Sequence, residues 1–201
     1  MKLVVATKNI HKLNEIKELL KSYRINIFSL LDFKNYPEIK ETGKSFYENA
    51  YLKARSINKY TMLPTLADDS GLEVEALNNK PGIFSARYAG ENASDFKRIK
   101  KLLKEMKDIP FEKRKARFVC CMVLIDGRRV FNVTGFCEGF IATKPYGKNG
   151  FGYDPVFYLP DLGKTMAQLE MEEKNIISHR ANAIKKIKEI LIEEYNLNKL
   201  K

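Results

Sequence analysis

Residues 66–90 read LADDSGLEVEALNNKPGIFSARYAG. A short apolar lead-in, Thr65, Leu66 and Ala67, runs into two adjacent acids, Asp68 and Asp69, and then into Ser70 and Gly71. The lead-in predicts a buried strand that ends on the acids. Residues 73–77 predict a second, short strand, closed by the Asn-Asn-Lys-Pro-Gly turn. Carboxylates side by side repel each other, so something must compensate them where the strand stops.

The elements on either side follow from apolar periodicity. Residues 2–7 predict a buried strand, 10–22 a helix with Leu13, Ile16, Leu19 and Leu20 on one stripe, and 25–30 another strand. A polar loop runs through Gly43. Ser45 and Glu48 then have the spacing of a capping box, heading a helix that runs to about Tyr60. Downstream, Ser94 heads a helix carrying Phe96, Ile99, Leu102, Leu103 and Met106. Residues 117–125 and 129–142 predict long strands joined at "DGR". The glycine-rich GKNGFGYDPVFYLP, residues 147–160, enters a further strand, and 178–195 predict a final helix with Ile184, Ile187 and Leu191 inward. Helices mixed with long antiparallel strands imply an α/β fold with a mixed sheet, not a pure doubly wound one. No repeat or long linker divides the chain, so residues 1–201 read as a single domain.

The 201 residues are ample for a core, and 44% hydrophobic with 30% charged is ordinary for a globular protein. No apolar run approaches the ~20 residues of a membrane helix. The N-terminal MKLVVATKN reads as a first strand, not a leader, so the expected location is cytoplasmic. The three cysteines agree. Cys120 and Cys121 are neighbours on a strand and point to opposite faces, Cys137 stands apart, and all three read as free thiols. The net charge of +11 would suit a nucleic-acid binder, but the basic residues are scattered over 97–104, 185–188 and 199–201, with no nucleic-acid motif. A Lys-rich surface around an anionic-substrate site is the preferred reading.

Four constellations fall at the ends of elements. In TKNIHK, Thr7 to Lys12, a hydroxyl, an amide and a lysine meet a helix start, where free N–H groups suit phosphate. A plain capped turn reads equally from the residues alone. The acids Glu41, Glu48, Asp68 and Asp69 form the second set. A divalent cation among them would relieve the repulsion, and oxygen ligands beside a phosphate-rich substrate favour Mg²⁺, with Mn²⁺ as a substitute. An Asx cap is the bland alternative. In GFGYDP, Gly150 and Gly152 let the backbone approach a ligand, Phe151 and Tyr153 offer stacking faces, and Asp154 offers an acceptor; an ordinary turn, with the aromatics in the core, is the alternative. In EEKNIISHRANA, Lys174, Ser178, His179 and Arg180 supply donors for a keto oxygen or phosphate. Nucleophile-elbow and dinucleotide fingerprints are absent.

Taken in order across residues 2–195, TKNIHK, FYENAYLKA, ADDSGLEVEAL, PGIFSARYAG, FGYDPVF and ISHRANA resemble the inosine triphosphate pyrophosphatase family. The resemblance implies hydrolysis of non-canonical purine nucleoside triphosphates (ITP, dITP, XTP) to the monophosphate and pyrophosphate. It implies an elongated mixed sheet flanked by helices, two lobes with the active-site cleft between them, and a homodimer, with no nucleic-acid or membrane partner. Thr7, Lys8, Asn9, Ile10, His11 and Lys12 resemble the triphosphate loop, Asn9 and Lys12 lying nearest the phosphates. Lys8 stands where other members often have Gly or Asn. Lys53 and Arg87 match positions facing the phosphates. Glu41 and Asp69 match metal-binding acids, Asp69 being also the candidate base, with Asp68 supporting it and Ser70 against the substrate. Phe151, Gly152, Tyr153 and Asp154 resemble the base-stacking segment, and Lys174, Ser178, His179 and Arg180 the rest of the base and sugar pocket. The rivals are a pyrophosphatase of pyrimidine or other modified triphosphates and a basic nucleic-acid-binding protein.

Overall fold

The computed structural model describes residues 1–197; the basic run at 199–201 lies outside the described residues. The chain forms two compact units, each assembled from separate segments. Among the described residues unit 1 comprises 1–69, 120–135 and 180–197, and unit 2 comprises 70–119 and 136–179.

Unit 1 opens with β1 (Lys2–Val5), α1 (Ile10–Leu20) and β2 (Asn26–Ser29). Helix α2 (Phe46–Thr61) follows, headed by Ser45, whose hydroxyl accepts from Glu48 N. The Glu48 carboxylate reaches past the expected box partner to accept from Lys44 N at 2.7 Å. Next comes β3 (Thr65–Val74), which passes from unit 1 into unit 2 after Asp69. Both β2 and β3 pair with β1 in parallel. Successive strand residues face opposite ways, and unit 1 obeys that rule throughout. Leu3, Val5 and Leu66 pack with Leu13 and Ile16 of α1 and with Ile184 and Ile187 of α5 (His179–Tyr195). Val4, Ala6 and Ala67 pack with Ala50, Ala54 and Ile57 of α2. The sheet is thus sandwiched, and each of these buried aliphatic side chains larger than Ala contributes about 1.5–3 kcal/mol.

Unit 2 contains β4 (Lys80–Pro81), antiparallel to β3, and α3 (Asp95–Glu105). Its Leu72 and Val74 pack with Ile99, Leu102 and Met106, and with Phe118 and Phe157. The long strands are β5 (Lys115–Asp126) and β6 (Arg129–Ile141), both shared between the units. They are followed by β7 (Phe157–Leu159), β8 (Lys164–Thr165) and α4 (Met171–Ile177). Strand β7 is antiparallel to both β6 and β8. The strand order is β2-β1-β3-β5-β6-β7-β8, with β4 on β3, so the α/β class with a mixed sheet holds.

Three expectations change. The acid pair does not end its strand: Asp68 and Asp69 lie in the middle of β3, which continues through Ser70 and Gly71. Residues 75–77 form a 3-10 turn, not a strand, and Asn78 and Asn79 then take positive φ. Phe96 is 72% exposed instead of joining the apolar stripe of α3. Among the described residues no helix is long and apolar enough to cross a membrane. All three cysteines are free and buried. Burial pushes the Cys120 thiol up to about 12 and the Cys137 thiol to about 11, and raises Cys121.

Candidate active site

The alternation of β3 explains how it tolerates neighbouring acids. Leu66 and Asp68 face α1 and α5, while Ala67 and Asp69 face α2, so the two carboxylates leave opposite sides of the sheet with different partners. Asp68 Oδ2 accepts from Lys12 Nζ of α1 at 2.8 Å and from Arg180 Nη2 of α5 at 3.2 Å. Asp69 Oδ2 accepts from Asn49 Nδ2 of α2 at 3.1 Å, and its Oδ1 lies 3.5 Å from Lys53 Nζ, one turn further along that helix. Lys53 Nζ also donates to Glu41 Oε1 at 2.7 Å. Asn49 is fixed in turn: its Oδ1 accepts from Gly43 N at 2.8 Å.

These surroundings drive the two acids apart. Burial raises Asp68, but the charges of Lys12, Arg180 and Lys53 overcome it and hold the group far below the usual carboxylate range. Burial also raises Asp69; Lys53, Lys12 and the Asn49 amide oppose it, Glu41 adds to it, and the net direction is upward. Lys53 is raised: burial opposes its charge, but Asp69, Asp68 and Glu41 outweigh it. One neighbour is thus a permanent anion and the other a readier proton acceptor, the pattern that separates supporting from general-base carboxylates.

Glu41 and Asp69 also suit a divalent cation. Both bring oxygen to one point, the Lys53 ammonium, which shows that the pair accommodates a positive charge. Among the described residues no cluster of three or more His, Cys, Asp or Glu side chains forms a complete protein cage. Mg²⁺ is usually held by one or two carboxylates, with phosphate oxygens and water completing the shell, and the pair is compatible with that. Glu48 belongs to the cap of α2 and not to this pair.

The turn before α1 uses its own polar groups. Asn9 N donates to Thr7 Oγ1 at 3.1 Å, and Asn9 Oδ1 accepts from His11 N and Lys12 N at 3.0 and 3.2 Å. The capped-turn reading is therefore realised, and it fixes the direction from which Lys12 reaches Asp68. Lys8, Ile10 and His11 are exposed, with Lys8 Nζ 5.1 Å from the centre of the Tyr36 ring.

In unit 2, Asp154 Oδ2 accepts from Phe151 N at 2.9 Å and from Lys174 Nζ at 2.7 Å, and that ammonium lies 4.9 Å from the centre of the Phe151 ring. Gly150 has φ +74°, and a Cβ there would stand 2.0 Å from Asp154 Oδ2, so only glycine lets the loop fold over its own acceptor. Gly152 N donates to Asp95 Oδ2 at 2.6 Å, and Asp95 is ion-paired with Arg98. Tyr153 is a correction: its ring is 4% exposed within the unit 2 core, and its hydroxyl donates to Ser85 O at 3.0 Å, so it anchors the loop and offers no stacking face. Ser178 ends α4, its N–H donating to Lys174 O, and His179 is buried with its ring stacked on Phe118 at 4.8 Å. Arg87 lies over Phe84 at 5.0 Å, and Ser70 is half-buried on β3. Arg180 falls in unit 1, 1% exposed, with both terminal nitrogens on carboxylates.

Three residues escape a reading of the sequence. Asn49 stands inside the quoted FYENAYLKA but carried no role; the signal was an amide on the buried side of α2, beside Ala50. Asp95 follows the Ser94 cap and looks like ordinary first-turn charge. Glu15 follows the exposed Asn14 and reads as a solvated charge on α1, yet it is buried beside the core residue Ile16.

Residues 3–190 match the Ham1 family. A protein of Geobacillus kaustophilus (strain HTA426) named dITP/XTP pyrophosphatase is 51% identical over 188 residues, covering 93% of this chain and 92% of that one. The structure of a HAM1 protein from Coxiella burnetii is similar with a TM-score of 0.88 at 45% identity, covering 96% of this chain and 99% of that one. The Staphylococcus aureus Ham1 protein gives a TM-score of 0.87 at 42% identity, covering 96% and 100%.

Proposed function

The chain belongs to the Ham1 family, and on that premise we propose how it works as a nucleoside triphosphate pyrophosphatase. It hydrolyses non-canonical purine nucleoside triphosphates, of the dITP and XTP kind, to the monophosphate and pyrophosphate. The observation that carries the mechanism is that Asp68 and Asp69 leave opposite sides of β3, Asp68 onto Lys12 and Arg180, Asp69 onto Asn49 and Lys53.

Water adds across the α–β anhydride. A new P–O bond forms, the bridging P–O bond breaks, and pyrophosphate leaves. Asp69, its carboxyl raised by burial, takes the proton of the water; Asp68 stays ionised and holds Lys12. Lys12 and Lys53 neutralise the phosphates, with Thr7–Lys12 as their loop and Arg87 as a further cation. Glu41 and Asp69 would hold Mg²⁺, which when bound offsets phosphate charge and acidifies water.

The base stacks on Phe151. The Lys174 ammonium and the His179 ring supply donors for a 6-keto oxygen, and Asp154 an acceptor for ring N–H. Adenine presents an amino donor at position 6, and a site built to hydrogen-bond one group rejects the analogue lacking it by ~10⁴-fold. Arg180, its Nη groups on Glu15 and Asp68, contributes through Asp68. Gly152, Tyr153 and Ser178 shape the pocket, and Ser70 lies against the substrate. A homodimer in the cytoplasm completes the proposal; the free buried thiols suit a reducing compartment. The deciding experiment is a product assay over dITP, XTP, dUTP and ATP. Pyrophosphate should appear with dITP and XTP. Orthophosphate instead, or faster turnover of dUTP, overturns the reading.

A further inference from the structure

Helix α1 buries an acid that the mechanism above does not use. Glu15 is 3% exposed, between Leu13 and Ile16 in sequence, both of them core residues. A buried carboxylate needs a cation, and the structure supplies one: Arg180 Nη1 donates to Glu15 Oε2. The other terminal nitrogen of the same guanidinium, Nη2, lies 3.2 Å from Asp68 Oδ2. That oxygen is also the partner of Lys12 Nζ, at 2.8 Å. Two cations therefore compete for one oxygen, and the lysine holds the closer position. The four charges, on Glu15, Arg180, Asp68 and Lys12, sum to zero.

We propose that Glu15 is a positioning residue for hydrolysis: it occupies one side of the Arg180 guanidinium and so leaves Asp68 Oδ2 to hold the Lys12 ammonium. The inference rests on the assignment of Lys12 to the triphosphate. With a neutral side chain at 15 the group carries one excess positive charge, and Asp68 becomes its remaining carboxylate. A guanidinium grips a carboxylate through two parallel N–H bonds, which an ammonium cannot match. Arg180 then takes both Asp68 oxygens, and Lys12 loses its anchor.

The test is a double-mutant cycle on kcat/KM for dITP, with melting curves for each variant. Glu15→Gln should lower kcat/KM roughly tenfold in the native background, and less than about twofold in Lys12→Met, where no ammonium remains to be displaced. A scaffold role would cost the same factor in both backgrounds. Equal losses, or no loss in the native background, overturn the proposal. Should Glu15→Gln fail to fold, Glu15→Asp enters the same cycle. Its carboxylate is one methylene short, and the expected loss is roughly threefold in the native background and none in Lys12→Met; any other pattern overturns the proposal. A native enzyme that releases no pyrophosphate from dITP or XTP refutes the proposed function itself. An active native enzyme without coupling refutes this inference alone.

Discussion

In unit 1 the candidate residues are fastened to one another; in unit 2 they are fastened to the backbone. Lys12, Asp68, Arg180 and Glu15 hold each other through charged side chains, as do Glu41, Lys53 and Asp69. In the base segment, Asp154 and Asp95 accept from main-chain N–H groups, and Tyr153 donates to a main-chain carbonyl. Lys174 with Asp154 and Arg98 with Asp95 are the exceptions. A network of charges fixes protonation states and electrostatic balance, which the chemical step needs. Loop anchors fix a shape, which recognition needs. Changes in the first set should therefore appear in kcat, and changes in the second in KM.

The sharpest way to break that division is to remove the cation. Exhaustive chelation with EDTA should abolish turnover, and Mg²⁺ or Mn²⁺ should restore it; activity that survives chelation takes the metal out of the mechanism. Next in size is Asp69→Asn, which should cut kcat by ~10²–10⁴-fold. The same variant should melt no lower than the native protein at pH 7. A raised folded pKa means that ionised Asp69 costs stability. That cost is absent below the unfolded value of about 3.9 and appears as pH rises through the folded value. The gain in Tm from Asn should therefore close as pH falls toward 4. A native-like kcat, or a Tm well below native at pH 7, contradicts the assignment.

On the recognition side, Phe151→Ala should weaken dITP, XTP and ATP alike. The expected loss in kcat/KM is roughly tenfold, since stacking on an aromatic ring is worth ~1–3 kcal/mol and is blind to base identity. A change in the dITP/ATP ratio would show that the ring discriminates. The smallest effect is expected from Asp95→Asn, which weakens the acceptor for Gly152 N without touching substrate. KM should rise about threefold with kcat unchanged, in keeping with one weakened hydrogen bond. A fall in kcat alone would erase the distinction between the two units.

The sequence made α1, α2, α3, α5 and the α/β class legible because their apolar periodicity is strong: α1, α2 and α3 begin at or within one residue of where their caps predict. The short α4 was not legible as a helix. The ordered motifs carried the family. Polar residues that are buried because of a remote partner were not legible. Asp68 and Asp69 looked like a strand end since nothing nearby offsets them; Arg180, which does so for Asp68, lies 112 residues away in sequence. Tyr153 looked like a stacking face because the carbonyl it binds belongs to Ser85, 68 residues upstream. Residue types named the chemistry, while the pairing of those residues needed three dimensions.

The buried thiols have a chemical consequence for the proposed task. Hypoxanthine and xanthine nucleotides arise by deamination, which nitrosating agents promote, and such agents also attack thiolates. Cys120, Cys121 and Cys137 are all buried and held protonated, their acidity weakened by desolvation. The enzyme thus exposes no thiolate to the conditions that generate its substrates. The native protein should release no colour from an aromatic disulfide reagent until it is unfolded; prompt reaction of even one thiol would remove that protection.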